Sequence, residues 1–124
     1  ALPKIRNSII WGNATTGSAA GVLDDSSAAS DYDYSLVQGV DGSGGTGLNG
    51  TNSDNDPLFT SLVQAASAAP TTAGDYRLQP GSPAIDTGSG SFYEGGTPDL
   101  SAIVTDRAGN GRFNGTVDMG AYER

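Results

Sequence analysis

A chain of 124 residues holds one modest core, and an apolar fraction of 35% beside 19 glycines describes short apolar segments joined by many turns. Two Glu and one Lys are too few for long amphipathic helices, so the chain is read as all-β. Fourteen acidic against six basic residues set its net charge of −8 against nucleic acid and anionic lipid, and the absence of Cys and His removes disulfides, thiol chemistry and any His base.

No run approaches the ~18–20 apolar residues of a membrane span, and no signal peptide opens the sequence. The abrupt apolar start at Ala1-Leu2-Pro3-Lys4-Ile5 reads as that of a fragment or a processed product. In chain order, the first predicted strand is Ser8-Ile9-Ile10-Trp11-Gly12. Its pattern returns as Ser35-Leu36-Val37-Gln38-Gly39 and as Ser61-Leu62-Val63-Gln64-Ala65, at offsets of 27 and 26 residues. A period of this length marks a solenoid or array. Each unit is a short apolar run followed by a Gly/Ser/Asp/Asn stretch, which predicts a β-solenoid coil with parallel rungs.

Further strands are expected at Pro57-Leu58-Phe59, Tyr76-Arg77-Leu78, Ala84-Ile85-Asp86 and Val117-Asp118-Met119. They permit a second register in which Leu58 and Leu78 are the third and fourth rungs, with offsets of 22 and 20 from Leu36 and Leu58. Residues 61–74 then become a loop insertion. Asp41-Gly42-Ser43-Gly44-Gly45 and Asn52-Ser53-Asp54-Asn55-Asp56-Pro57 are turn sequences between rungs, and Pro80-Gly81-Ser82-Pro83 is a corner. Beyond residue 87 the pattern changes. We divide one domain into coils over 1–87 and a Gly-rich loop with a C-terminal cap over 88–124.

Several phrases occur in a specific order: Asn7-Ser8-Ile9-Ile10-Trp11-Gly12-Asn13, Asp33-Tyr34-Ser35-Leu36-Val37-Gln38-Gly39, Asp56-Pro57-Leu58-Phe59, and Asp75-Tyr76-Arg77-Leu78-Gln79-Pro80-Gly81-Ser82-Pro83-Ala84-Ile85-Asp86. Asp106-Arg107-Ala108-Gly109-Asn110-Gly111-Arg112 and Gly115-Thr116-Val117-Asp118-Met119-Gly120-Ala121-Tyr122-Glu123 close the series. Together they resemble the choice-of-anchor Q type C-terminal region of bacterial right-handed parallel β-helix surface and secreted proteins, over nearly the whole chain. The resemblance implies a right-handed parallel β-helix of few coils with an irregular C-terminal capping tail. It also implies an extracellular or bacterial cell-surface location, and it favours the second register. This chain departs from the pattern by inserting 61–74 between the Asp-Pro-Leu-Phe and Tyr-Arg-Leu-Gln phrases.

Twelve of the acids are Asp, mostly beside Gly, Asn or Ser, where the side chain first serves turns and secondly offers oxygen to a hard cation such as Ca²⁺. The candidate calcium ligands are Asp54, Asp56, Asp106, Asn110 and Asp118. The 106–118 segment departs from a calcium-loop pattern at Ala108, where a ligand should stand. Arg107 and Arg112 are expected to hold the tail by bidentate bonds to Asp99, Asp118 or Glu123. Trp11 and Tyr122 are taken as structural, Trp11 within a strand, although a sugar-stacking platform of aromatic residues is the alternative.

No catalytic residue is assigned. The acidic pairs Asp24/Asp25, Asp31/Asp33 and Asp54/Asp56 stand in turn-rich sequence, and the lone Lys4 lies at the start of the chain. The function expected is therefore a non-catalytic structural or adhesive module, stiffened by calcium. An uncapped N-terminal coil would stack end to end on identical subunits, and cell-surface glycans are the other expected partner. The alternative is a fragment of a β-helix polysaccharide lyase or glycoside hydrolase.

Overall fold

The computed structural model describes residues 4–13, 31–39, 55–63, 72–95 and 99–124. Strands β1 (Lys4–Arg6) and β2 (Ile9–Ile10) form the first rung, and β3 (Asp31–Asp33) and β4 (Leu36–Val37) the second. β1 pairs with β3 and β2 with β4, both parallel, with Ile5 opposite Tyr32 and Ile9 opposite Leu36. The offset of 27 residues between the first two sequence repeats is therefore the register of two parallel ladders.

Each rung turns between its two strands at one residue in the left-handed region: Asn7 (φ 45°) in the first and Tyr34 (φ 50°) in the second. Asn is among the non-glycine residues that enter that region most readily; a ring-bearing residue does so only when packing compensates. Here Tyr34 packs against the core and meets the Phe92 ring edge-on at 6.1 Å. The corner is further tied by Ser35 Oγ, which donates to Asp33 O at 3.0 Å and accepts from Ser8 N at 3.3 Å. One rung is thus pinned to the next by side chains as well as by the ladder.

Arg6 and Asp33 bridge the rungs at 2.9 Å, with side chains only 6% and 9% exposed. Removing one member of such a pair costs about 3–5 kcal/mol, because the other charge is left buried. The Arg6 guanidinium also lies over the Phe92 ring, 5.4 Å from its centroid, so loop 90–93 is fastened to both rungs. That loop is one turn of 3₁₀-helix (Gly90–Tyr93), capped by Ser89 Oγ accepting from Ser91 N.

The expectation that Leu58 and Leu78 stand as successive parallel rungs is not met. Strands β5 (Phe59–Ser61) and β6 (Asp75–Leu78) pair antiparallel, with Phe59 opposite Leu78 and an irregularity between Phe59 and Ser61. Of the third repeat, Ser61 pairs with Asp75 in the same antiparallel ribbon and Leu62 and Val63 form no strand, while Gln64 and Ala65 lie outside the described residues. Pro57 is buried and Leu58, just before β5, takes a φ of 53°, in the same left-handed region as Asn7 and Tyr34. Phe59 and Tyr76 then pack edge to face at 5.2 Å, holding the ribbon together.

The core is built from Leu36, Leu78, Ala84 and Met119, with Ile9, Trp11, Tyr34, Phe59 and Ile85 packed around it. Trp11, expected within a strand, follows β2 instead and packs against this core from outside it. One member comes from the second rung, two from the ribbon and the corner after it, and Met119 from the tail. The tail is held by backbone bonds from Met119 N to Ala84 O (2.9 Å), Gly120 N to Asn7 O (2.8 Å) and Gly88 N to Val117 O (2.8 Å). Two glycines allow this approach. A Cβ on Gly88 would lie 2.7 Å from Val117 O, and one on Gly120 (φ 96°) would lie 2.9 Å from Ile9 Cδ1.

Candidate functional site

The Asp106-to-Glu123 segment folds back on itself. An antiparallel bridge joins Thr105 to Gly111, and Arg112 N donates to Val104 O at 3.0 Å. Asp106 closes the turn from inside. Its Oδ1 accepts from Ala108 N and Asn110 N, both at 2.8 Å, and its Oδ2 accepts from Asn110 Nδ2 (3.1 Å) and Glu123 N (3.0 Å). The Glu123 N–H, together with the Asn110 and Ala108 donors, favours the charged form and holds the Asp106 carboxyl down at about 2.

Asp118 is the second hub. Its Oδ1 accepts from Asp86 N at 2.8 Å and its Oδ2 from Arg124 N at 2.9 Å, while its own N–H donates to Glu123 Oε1 at 3.2 Å. Burial pushes its carboxyl above the ordinary aspartate value in spite of those donors. Glu123 is pushed further, to about 7, first by burial and then by the neighbouring Asp118 and Asp106 charges. Its Oε2 has no hydrogen-bond partner and lies 3.8 Å from Arg112 Nε.

Arg112, 4% exposed, ties these hubs to the body. Its Nη2 donates to Gly120 O at 2.7 Å and Asp118 O at 3.3 Å, and its Nε to the Tyr93 hydroxyl at 3.2 Å. The guanidinium also lies 5.8 Å from the centre of the Tyr93 ring. The expected bidentate carboxylate bond is replaced by carbonyl bonds and a loose ion pair with Glu123. Arg107 plays no matching part: it is exposed, and its N–H donates to Ala121 O. Asp99, a proposed partner for either arginine, accepts instead from Ser101 N at 2.9 Å.

The calcium expectation fares differently at each residue. Asp54 lies outside the described residues. Asp56 is exposed and its Oδ1 accepts from Leu58 N at 2.8 Å, making a local turn. Asp106 and Asn110 do come together, but with each other's hydrogen bonds satisfied, and Asp118 is engaged with Asp86 and Arg124. Among the described residues no three acidic side chains gather in a way that could hold a metal ion. The Asp106 and Asp118 carboxylate oxygens accept from backbone N–H groups and, at Asp106, from the Asn110 side-chain amide. No family model, no curated protein and no solved structure matches the chain.

Beside this network lies an open cleft of about 380 Å³ between the ribbon and the tail, walled by Thr60, Arg77, Gln79, Asp106, Asn110 and Tyr122 among others. Glu123 also borders it. A neighbouring hollow of about 200 Å³ is more apolar and is walled by Ile9, Phe59, Tyr76 and Met119; Leu78 and Tyr122 are common to both. Tyr122, taken from sequence as structural, is half-buried and stands where the two spaces meet.

A carboxyl at about 7 and another at about 2 bordering one cleft invite comparison with a glycosidase acid and its partner. The hydrogen bonds argue otherwise: Asp106 has spent both oxygens on four donors, and the Glu123 side chain is 2% exposed. Neither is placed to exchange a proton with a substrate.

Sequence reasoning missed Asn7, which is 4% exposed. Its amide clamps Ser89 from both sides, Oδ1 accepting from Ser89 N and Nδ2 donating to Ser89 O, each at 2.8 Å. The signal was available as an Asn directly before the first repeat, at the position Tyr34 occupies before the second. It gave no hint of the partner, which is 82 residues away.

Proposed function

We propose that this chain is a non-catalytic structural and adhesive module of an extracellular bacterial protein, built on a right-handed parallel β-helix whose tail closes the last rungs. The observation that carries the reading is Met119, the tail's contribution to a core otherwise made by Leu36, Leu78 and Ala84. A tail that completes a core is a structural element. The two parallel ladders at an offset of 27 residues support the solenoid part of the proposal, and the network around Arg112 supports the closing role of the tail. The location rests on the sequence resemblance.

Removing residues 99–124 tests it. The shortened chain should expose Leu36 and Ala84, bind a hydrophobic dye and lose its cooperative melt. A truncated chain that melts like the full one would overturn the closing role. Release of reducing ends or unsaturated uronates from any of a panel of polysaccharides by the intact chain would overturn the non-catalytic role.

A further inference from the structure

The cleft and the hollow beside it have walls of two kinds. Polar groups stand on one side, fixed by the ribbon. Thr60 Oγ1 donates to Arg77 O at 2.9 Å, and Gln79 Nε2 donates to Phe59 O at 2.9 Å, which holds the Gln79 amide in place with its Oε1 as an acceptor. Asn110 is held likewise by its Nδ2 bond to Asp106. The other side is aromatic, with Phe59, Tyr76 and Tyr122 around the hollow. Tyr76 is 38% exposed, so part of its surface is open to a ligand although it packs edge-on against Phe59.

The charges bordering the cleft are largely spoken for. Arg77 forks onto Asp75, with Nε at 2.8 Å from Oδ1 and Nη2 on Oδ2. The Asp106 carboxylate is satisfied by four donors, and burial keeps much of Glu123 protonated near neutral pH. A cationic ligand therefore finds the Asp106 carboxylate already saturated, and an anionic one meets a chain of net charge −8 in which Arg77 is paired with Asp75 and Arg124 is the other basic residue at the rim. What remains is a set of fixed, uncharged donors and acceptors next to exposed ring surface, in a space within the ~300–1,000 Å³ of small-molecule sites. That is the chemistry of a sugar ring, polar at its rim and apolar on its C–H face.

We propose that the joined cleft and hollow bind a neutral oligosaccharide, one pyranose ring against Tyr76 and Tyr122 and its neighbour hydrogen-bonded to Thr60, Gln79 and Asn110. The proposal rests on the reading of the module as non-catalytic and adhesive, and it supplies the class of ligand and the place.

Titration of the ¹⁵N-labelled full chain with neutral glucose, mannose and N-acetylglucosamine disaccharides, and with digalacturonate, tests it by NMR. Saturable shifts from a neutral disaccharide are expected at the amides of Thr60, Gln79, Asn110 and Tyr122, with a Kd in the millimolar range and uronate at least tenfold weaker. Gln79→Ala and Tyr76→Ala should each weaken binding about tenfold, while Asp99→Ala, outside the cleft, leaves it unchanged; Gln79 is exposed, so its truncation should not unfold the chain. Absence of shifts up to the solubility limit of every neutral sugar, or uronate binding as tight as neutral binding, overturns the proposal and leaves the closing role of the tail intact. Cleavage of a bound sugar during the titration would instead overturn the non-catalytic reading.

Discussion

Glutamine in place of Glu123 should change how stability depends on pH while preserving the fold. Folded Glu123 holds its proton up to about pH 7, whereas the ordinary value is 4.5. The folded state therefore binds more protons than the unfolded state between those values. Its contribution to stability is fully present below about pH 4.5, declines as pH rises, and is gone above about pH 7. The gap corresponds to at most about 3 kcal/mol, and solvent reaching the adjacent cleft reduces this to about 1–2 kcal/mol. For a domain of this size that is a fall in Tm of roughly 5 °C between mildly acidic and mildly alkaline buffer. Asp118, also shifted upward by burial, adds to the same limb. Asp106 acts in the opposite sense: held at about 2, it contributes stability above the ordinary value of 3.8 that is lost as pH falls through about 2. Stability should therefore peak between the two windows. Thermal melts of wild type and Glu123→Gln from pH 3 to pH 8 read this directly. The variant should keep the acid limb and flatten much of the decline above pH 4.5. Parallel curves for the two proteins across that range would refute the reasoning, because they would place the Glu123 proton elsewhere or nowhere.

Other outcomes follow from the packing and the hydrogen bonds. Met119→Ala should cost about 2–5 kcal/mol in chemical denaturation, as the residue is 1% exposed and completes the core. Gly120→Ala should cost about 1–3 kcal/mol, from its positive φ and the 2.9 Å approach to Ile9, with the loss reading out as a lower denaturation midpoint. Asn7→Ala removes two bonds to Ser89 and should lower stability by about 1–3 kcal/mol, with faster amide exchange at Gly88 and Ser89. Millimolar calcium, or its removal by a chelator, should leave the amide shifts of residues 106–118 unchanged; a shift at Asp106 or Asn110 would restore them as ligands.

The sequence made some of this architecture legible and hid the rest for identifiable reasons. The recurrence of Ser-Ile-Ile and Ser-Leu-Val is local and periodic, so it exposed the ladder that joins Ile9 to Leu36. The direction of β5 and β6 was not readable: a strand of three or four residues has the same apolar pattern whichever way it runs. At the site, Asp106 and Asn110 share a turn closed by the Asp106 carboxylate. Composition cannot distinguish a carboxylate that binds a cation from one saturated by N–H groups, because both kinds of turn favour Asp, Asn and Gly. Arg112 and Arg107 look alike in sequence, and only the fold buries the first among carbonyls and leaves the second exposed. The cleft was invisible because its walls, Thr60, Gln79, Asn110 and Tyr122, come from three distant stretches.

The clamp between Asn7 and Ser89 also bears on the order of events as the chain folds. Its two ends are 82 residues apart, so it cannot form until most of the polypeptide exists, and loop closure over that distance is slow. The first rung must therefore wait for loop 89–93 and the tail before its corner is fully bonded. Late capture of this kind should give a refolding trace whose slowest phase reports arrival of the C-terminal segment, and an early chain end that remains open to proteases until that moment.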